Sequence, residues 1–172
     1  KDEQEAQKFN RADEESFQRD MSDLSSFQLA NGITVYLQEE RTDHQVAIEA
    51  IYRAGYTKDP KGKVQLAHLT EHMAMHCATG DFGPGESMEV VKKNHGMISA
   101  EAVADFIHFD YVVDAERLDE TLAIEASRLR EIRCDEQALK AQMVAVLDEF
   151  DRTFSNPKST LTRLALMAIG GV

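Results

Sequence analysis

From Phe27 to Gln38 apolar and polar positions alternate, and the alternation is broken once, at Asn31-Gly32. Successive side chains of a strand point to opposite faces, and Asn-Gly accepts the positive φ angles of a tight turn, so this stretch predicts a β-hairpin. Val46 to Arg53, rich in Val and Ile, predicts a third strand; Gly55 to Lys63, holding Pro60 and Gly62, predicts a loop. The period then lengthens. Over residues 64–77, Val64, Leu66, Ala67, Leu69, Met73, Ala74, Met75 and Cys77 put apolar groups on nearly every side of a helix, which predicts a buried one. Thr79 to Gly85, with three glycines and a proline, reads as a loop, and Ser87 to Lys93 as a short helix closed at Asn94-His95-Gly96.

Two more strands follow, Met97 to Ala104 and Phe106 to Val113, the second with Ile107, Phe109, Tyr111 and Val113 on one face. Asp114 is placed to cap a helix over 115–132, in which Leu118, Leu122, Leu129 and Ile132 recur at helical spacing. A further helix runs from near Asp135 to about 152, and Thr160 to Ile169, after Pro157, is again helical and apolar. Residues 1–23 are dense in charge and Gln, with only Phe9, Phe17 and Met21 as larger apolar groups. They read as a flexible or partly helical leader to a folded module at 24–172.

Composition narrows the partners. A net charge of -12 offers no basic surface to nucleic acid or to an anionic membrane. No apolar run reaches the roughly 18 residues of a membrane span. Cys77 and Cys134 are too few for a disulfide framework, and their apolar neighbours favour plain buried thiols over a single bridge. The chain begins without a signal peptide or an initiator Met, which reads as a mature form or an excised piece and leans toward an exported, periplasmic protein.

The candidate chemistry lies in the buried helix, at His68-Leu69-Thr70-Glu71-His72. Residues four apart share one helix face, so His68 and His72 stack one turn apart, placed to grip a single metal ion; Zn²⁺ is the usual occupant of such nitrogen sites. Glu71 stands beside the pair, where a carboxylate can take a proton from metal-bound water. The order reverses the His-Glu-x-x-His helix of zinc proteases and arises by chance about 0.02 times in a chain of this composition. The bland reading is a core helix with incidental histidines, but buried His and Glu are costly without partners, and a metal supplies one. His76 extends the same stripe and is an alternative ligand; His44, His95 and His108 read as surface or strand residues.

The helix after Asp135 has two unlike faces. Leu139, Met143, Val146, Leu147 and Phe150 are bulky, whereas Ala138, Gln142, Ala145 and Glu149 form a stripe that lets a second helix come close. Glu149 on that stripe can aim at the metal helix; pattern alone leaves an exposed glutamate equally open.

The order of elements, with Leu29-Ala30-Asn31-Gly32-Ile33-Thr34-Val35, Ala50-Ile51-Tyr52-Arg53-Ala54-Gly55, the His68–Met73 core and Val144–Glu149, resembles the pitrilysin/insulinase-like peptidases, family M16. The resemblance covers most of residues 24–170. It implies an α+β module, a mostly antiparallel sheet packed with helices, here lacking its C-terminal part. It implies one Zn²⁺ per chain, held by His68, His72 and Glu149, with Glu71 as general base, and it argues against His76 as a ligand. The implied activity is endopeptidase cleavage of peptides or unfolded segments, added as a strand to a sheet edge beside the metal. Full activity in the family takes a second module, in the same or another chain.

Two departures bear on that expectation. Members often carry a glutamate where Gln142 stands, and the substrate-edge strand usually reads Asn-Ala-x-Thr, matched here by Ser99-Ala100-Glu101-Ala102. These changes, with the short length, support the other reading: a catalytically weak or inactive homologue that binds peptide or serves as a structural subunit. A purely structural zinc site fits less well, because such sites usually close with four protein ligands.

Overall fold

The computed structural model of the chain describes residues 24–39, 44–155, 157, 160 and 161. The leader at 1–23, and all but the first two residues of the helix read at 160–169, lie outside the described residues. The chain divides into two compact units, residues 1–44 and 45–172.

In the first unit, β1 (Leu24–Gln28) and β2 (Thr34–Gln38) form the expected antiparallel hairpin, with Phe27 opposite Val35. Gly32 takes a φ of +89° in the turn, and the Ile33 amide donates to the Asn31 side chain at 3.2 Å. That is the local bond that makes Asn a turn residue.

The second unit contains, in chain order, β3 (Gln45–Tyr52), α1 (Leu66–His76), β4 (Ala78–Thr79), α2 (Glu86–Lys93), β5 (Met97–Ala102), β6 (Ile107–Asp114), α3 (Leu118–Arg130), β7 (Ile132–Arg133) and α4 (Glu136–Ser155). Three strands form an antiparallel sheet in the order β3-β6-β5, so the fold is α+β. The inward face of β6, Ile107, Phe109, Tyr111 and Val113, is buried as its alternation predicts. It shares one core with Ala67, Ala74 and Met75 of α1, Val91 of α2 and Ile124 of α3. No described helix is long and apolar enough to cross a membrane.

α1 is held at both ends by residues outside it. At its start the Asp59 carboxylate accepts from the amides of Leu66 (3.1 Å) and Ala67 (2.8 Å), capping the helix from seven residues upstream. Asp59 is positioned in turn by Gly55, whose Cα lies against the backbone of Val103, Ala104 and Phe106 with no room for a Cβ. Tyr56 and Thr57 donate to the carbonyls of Val103 and Ala104 there.

At the other end α1 rests on α3, and here pattern and structure part. Leu122 and Leu129, expected on the buried face, are 47% and 51% exposed, and Ile132 has left the helix for β7. The stripe that faces the core is Thr121, Ile124, Glu125 and Arg128, rotated from the leucines and mostly polar. Its charges satisfy one another. Arg128 pairs with Glu125; Tyr111 donates to Glu125; Tyr52 donates to its other oxygen at 2.7 Å. Arg128 also donates to the Tyr111 hydroxyl (2.7 Å) and to the Ala74 carbonyl (3.2 Å), an orphan acceptor in the last turn of α1. Its guanidinium lies 4.0 Å from the centre of the Phe109 ring. Asp114 is a second departure: it ends β6 in extended backbone, makes no side-chain cap, and a 3-10 turn at Ala115–Arg117 precedes α3.

Cys77 and Cys134 form a disulfide, correcting the reading as free thiols. The pairing of β4 with β7, Ala78 opposite Arg133, brings their Cα atoms to 5.2 Å, within bridging range. Two-residue strands carry no periodic signal, so composition alone could not show this. The bridge joins the end of α1 to the residues just before α4.

Breaking the buried pair as Glu125→Gln, which leaves Arg128 without its counter-charge, is expected to cost about 3–5 kcal/mol in a urea unfolding curve; a loss under about 1 kcal/mol would mean that water reaches the site. Reduction of the disulfide, which spans 57 positions, is expected to lower stability by about 4 kcal/mol if chain entropy sets its worth. Urea midpoints with and without a phosphine reductant read the loss directly.

Candidate metal centre

α1 and α4 run antiparallel, since His72 meets Gln142 while His68, a turn earlier, meets Glu149. The small side chains of Ala138 and Ala145 permit the close approach. Glu149 therefore points at α1 instead of at solvent, although its side chain keeps 43% exposure on one side. Three ligand atoms converge. His68 Nε2 and His72 Nε2 lie 3.2 Å apart, and Glu149 Oε2 lies 3.3 Å from the first and 3.5 Å from the second.

What these atoms can hold follows from the far side of each ring. His68 Nδ1 lies 2.9 Å from Gln65 Oε1, and His72 Nδ1 lies 3.3 Å from Gln142 Oε1. An amide oxygen only accepts, so each Nδ1 presents its N–H to it, and a neutral ring then offers its Nε2 lone pair to the shared space. Two imidazole Nε2 atoms and a carboxylate oxygen then face one another, an arrangement suited to a cation. A tetrahedral ion with bonds of about 2.0–2.2 Å sets its ligands about 3.3–3.6 Å apart, close to the observed spacing. The donor set fits a divalent metal such as zinc.

Electrostatics agrees with the geometry. Burial lowers the His68 pKa, and the neighbouring His72 lowers it further, against the opposing charge of Glu149. The ring is thus biased toward the neutral form that binds metal. Glu71 is buried 3.9 Å from His68 Nε2, next to the ligand set but outside it. Burial raises its pKa above the usual carboxylate value; His72 opposes the shift, while Glu149 and Glu101 add to it. A carboxylate so raised is a stronger base than an exposed one.

Of the other residues singled out from the sequence, His76 lies exposed, with its ring 5.9 Å from that of His72, and is not in the converging group. Ser99 and Ala100 lie on β5, at the edge of the sheet among the described residues. Ser99 faces outward beside Asp110, and Ala100 faces the core. β5 packs alongside α1, which sets its open edge near the three ligands. His108 faces outward among Glu49, Glu101 and Asp110. Gln65 was not foreseen; its only sequence signal is its place three residues before His68.

Residues 34–170 match the family described as insulinase, peptidase family M16. No curated protein matches the chain. Among solved structures it is similar to a protease from Helicobacter pylori, with a TM-score of 0.73 and 23% identity over 80% of this chain and 33% of that one. It is also similar to pitrilysin, with a TM-score of 0.69 and 21% identity over 77% of this chain and 14% of that one. At such identities the likeness shows the fold, and the chain spans a third or less of either protein's length.

In the metal-free chain, Glu149→Ala is expected to lower the His68 pKa further, because Glu149 is the charge that opposes burial and His72 there. A proton–carbon NMR titration of the imidazole Cε1–H reads the midpoint, and an unchanged value would mean that the carboxylate does not sit beside the ring.

Proposed function

The chain belongs to the insulinase family of peptidases, family M16, and on that footing we propose that it is a zinc-dependent endopeptidase module for peptides or unfolded segments. One observation carries the reading: two imidazole nitrogens and a carboxylate, from His68, His72 and Glu149, converge beside a fourth group, Glu71, that can move a proton. A zinc ion held by the three would act as a Lewis acid toward a peptide carbonyl and make a water more acidic. Glu71 accepts the proton from the attacking water and returns it to the leaving amine; its raised pKa suits both transfers. Among the described residues β5 is an edge strand, and such an edge can align an extended peptide as one more strand, with Ser99 and Ala100 beneath it.

A second module, in the same protein or a partner chain, completes the peptide site in this reading, as the share of the related structures covered suggests. The Cys77–Cys134 bridge supports an exported location, since disulfides persist in oxidising compartments. The other reading, a homologue that binds peptide without cleaving it, draws on Gln142 and on Ser99–Ala102. Intact His68, Glu71, His72 and Glu149 weigh against it.

Purified chain is expected to hold about one zinc by elemental analysis, as one three-ligand set requires, and Glu149→Ala to lose it or bind it far more weakly. In the complete assembly, Glu71→Gln should keep zinc while peptide hydrolysis falls by roughly 10²–10⁴. Undiminished hydrolysis would remove Glu71 as the base, and peptide binding without cleavage by the wild type would favour the non-catalytic reading.

A further inference from the structure

Among the described residues, two non-glycine residues have positive φ, Gln65 at 72° and His95 at 60°. His95 sits in the Asn94-His95-Gly96 turn, and His is among the residue types enriched in left-handed backbone. Gln is not, and a long side chain there is strained where glycine is not. The backbone role of Gln65 is ordinary: its carbonyl accepts the first bond of α1, from Leu69, at 2.9 Å. Its side chain does not cap the helix, because Asp59 already does. Glycine would meet every backbone requirement at this position. What glycine lacks is the amide, whose oxygen lies 2.9 Å from His68 Nδ1.

We propose that Gln65 is a positioning residue for His68, its strained backbone being tolerated because its side-chain oxygen fixes the ring's tautomer and turns Nε2 toward His72 and Glu149. The inference rests on the metal reading above and adds a residue to it. Gln142 does the same for His72 at 3.3 Å without strain, from a regular position in α4. With left-handed backbone at 65 the side chain reaches over the first turn of α1 to His68, whereas in a helical residue Cβ tilts toward the helix N-terminus, away from that ring. Partners on the far nitrogen of a ligating histidine set its orientation and raise its basicity, and their loss typically weakens metal binding 10–100-fold.

Two substitutions separate positioning from a merely structural role. Gln65→Gly relieves the strained backbone but removes the amide. Its melting temperature is expected to hold or rise, by about 2–4 °C in a chain of this size. Its zinc affinity, read by competition with a chromophoric chelator, is expected to fall at least tenfold. Gln65→Glu keeps an acceptor on Nδ1 and should retain or improve the affinity. Opposite movement of stability and affinity in Gln65→Gly, with binding kept in Gln65→Glu, is the result the proposal requires. Equal affinity in wild type and Gln65→Gly, or a parallel fall of stability and affinity, would overturn it while leaving the metal reading intact. Absence of zinc binding by the wild-type chain would overturn both.

Discussion

The position of α1 depends on a charge buried beneath it. Arg128, almost wholly enclosed, joins α3 to the sheet through Glu125, Tyr111 and Tyr52, and to α1 through the Ala74 carbonyl. Taking two ions out of water costs several kcal/mol per ion, and the cost is offset only when every remaining donor and acceptor is met. Here it is met, and no buried side-chain polar atom among the described residues lacks a partner. A pair of leucines in the same place would contribute as much cohesion, but leucines slide. The forked guanidinium, with fixed partners on three elements and an aromatic ring under it, sets α1 in one register on the sheet. The spacing of His68 and His72 from the β5 edge inherits that register.

The second half of the site comes from α4, which is far less deeply seated. Among its described side chains, Val146 is the buried apolar one, and Met143, Val144 and Leu147 remain exposed. Its position relative to α1 is set by specific ties instead of bulk burial: the Cys77–Cys134 bridge at one end, the Gln142–His72 contact in the middle and Glu149 against both rings at the other. These ties bring three ligand atoms from two helices together. A metal held there would add its binding free energy to the pairing of the two helices.

Much of this was legible in the chain. The hairpin at Asn31-Gly32, the inward face of β6 and the stripe Ala138–Gln142–Ala145–Glu149 follow from periodicity, because in each the chemistry of the side chains matches the face they occupy. α3 defeated the same logic. Its leucines mark a stripe that is half exposed, and its core-facing stripe is made of Thr, Glu and Arg, residues that pattern alone assigns to solvent. A buried ion pair is invisible to hydropathy, since its stability lies in partners from other elements. The disulfide was hidden for a related reason: nothing near Cys77 or Cys134 signals that two-residue strands at 78–79 and 132–133 pair. Gln65 was hidden because strain is a property of φ, and no residue type announces it.

The two ring partners in this chain, Gln65 and Gln142, are neutral, and neutrality has a consequence for the fourth group. A carboxylate on either Nδ1 would orient the ring at least as firmly and push more electron density onto the metal. It would also add a negative charge near Glu71, whose pKa burial, Glu149 and Glu101 already hold high. A further rise would work against the ionised form that accepts a proton from water. An amide oxygen gives the orientation without the charge. Gln65 and Gln142 thus orient the two imidazoles without adding to the negative charge around Glu71.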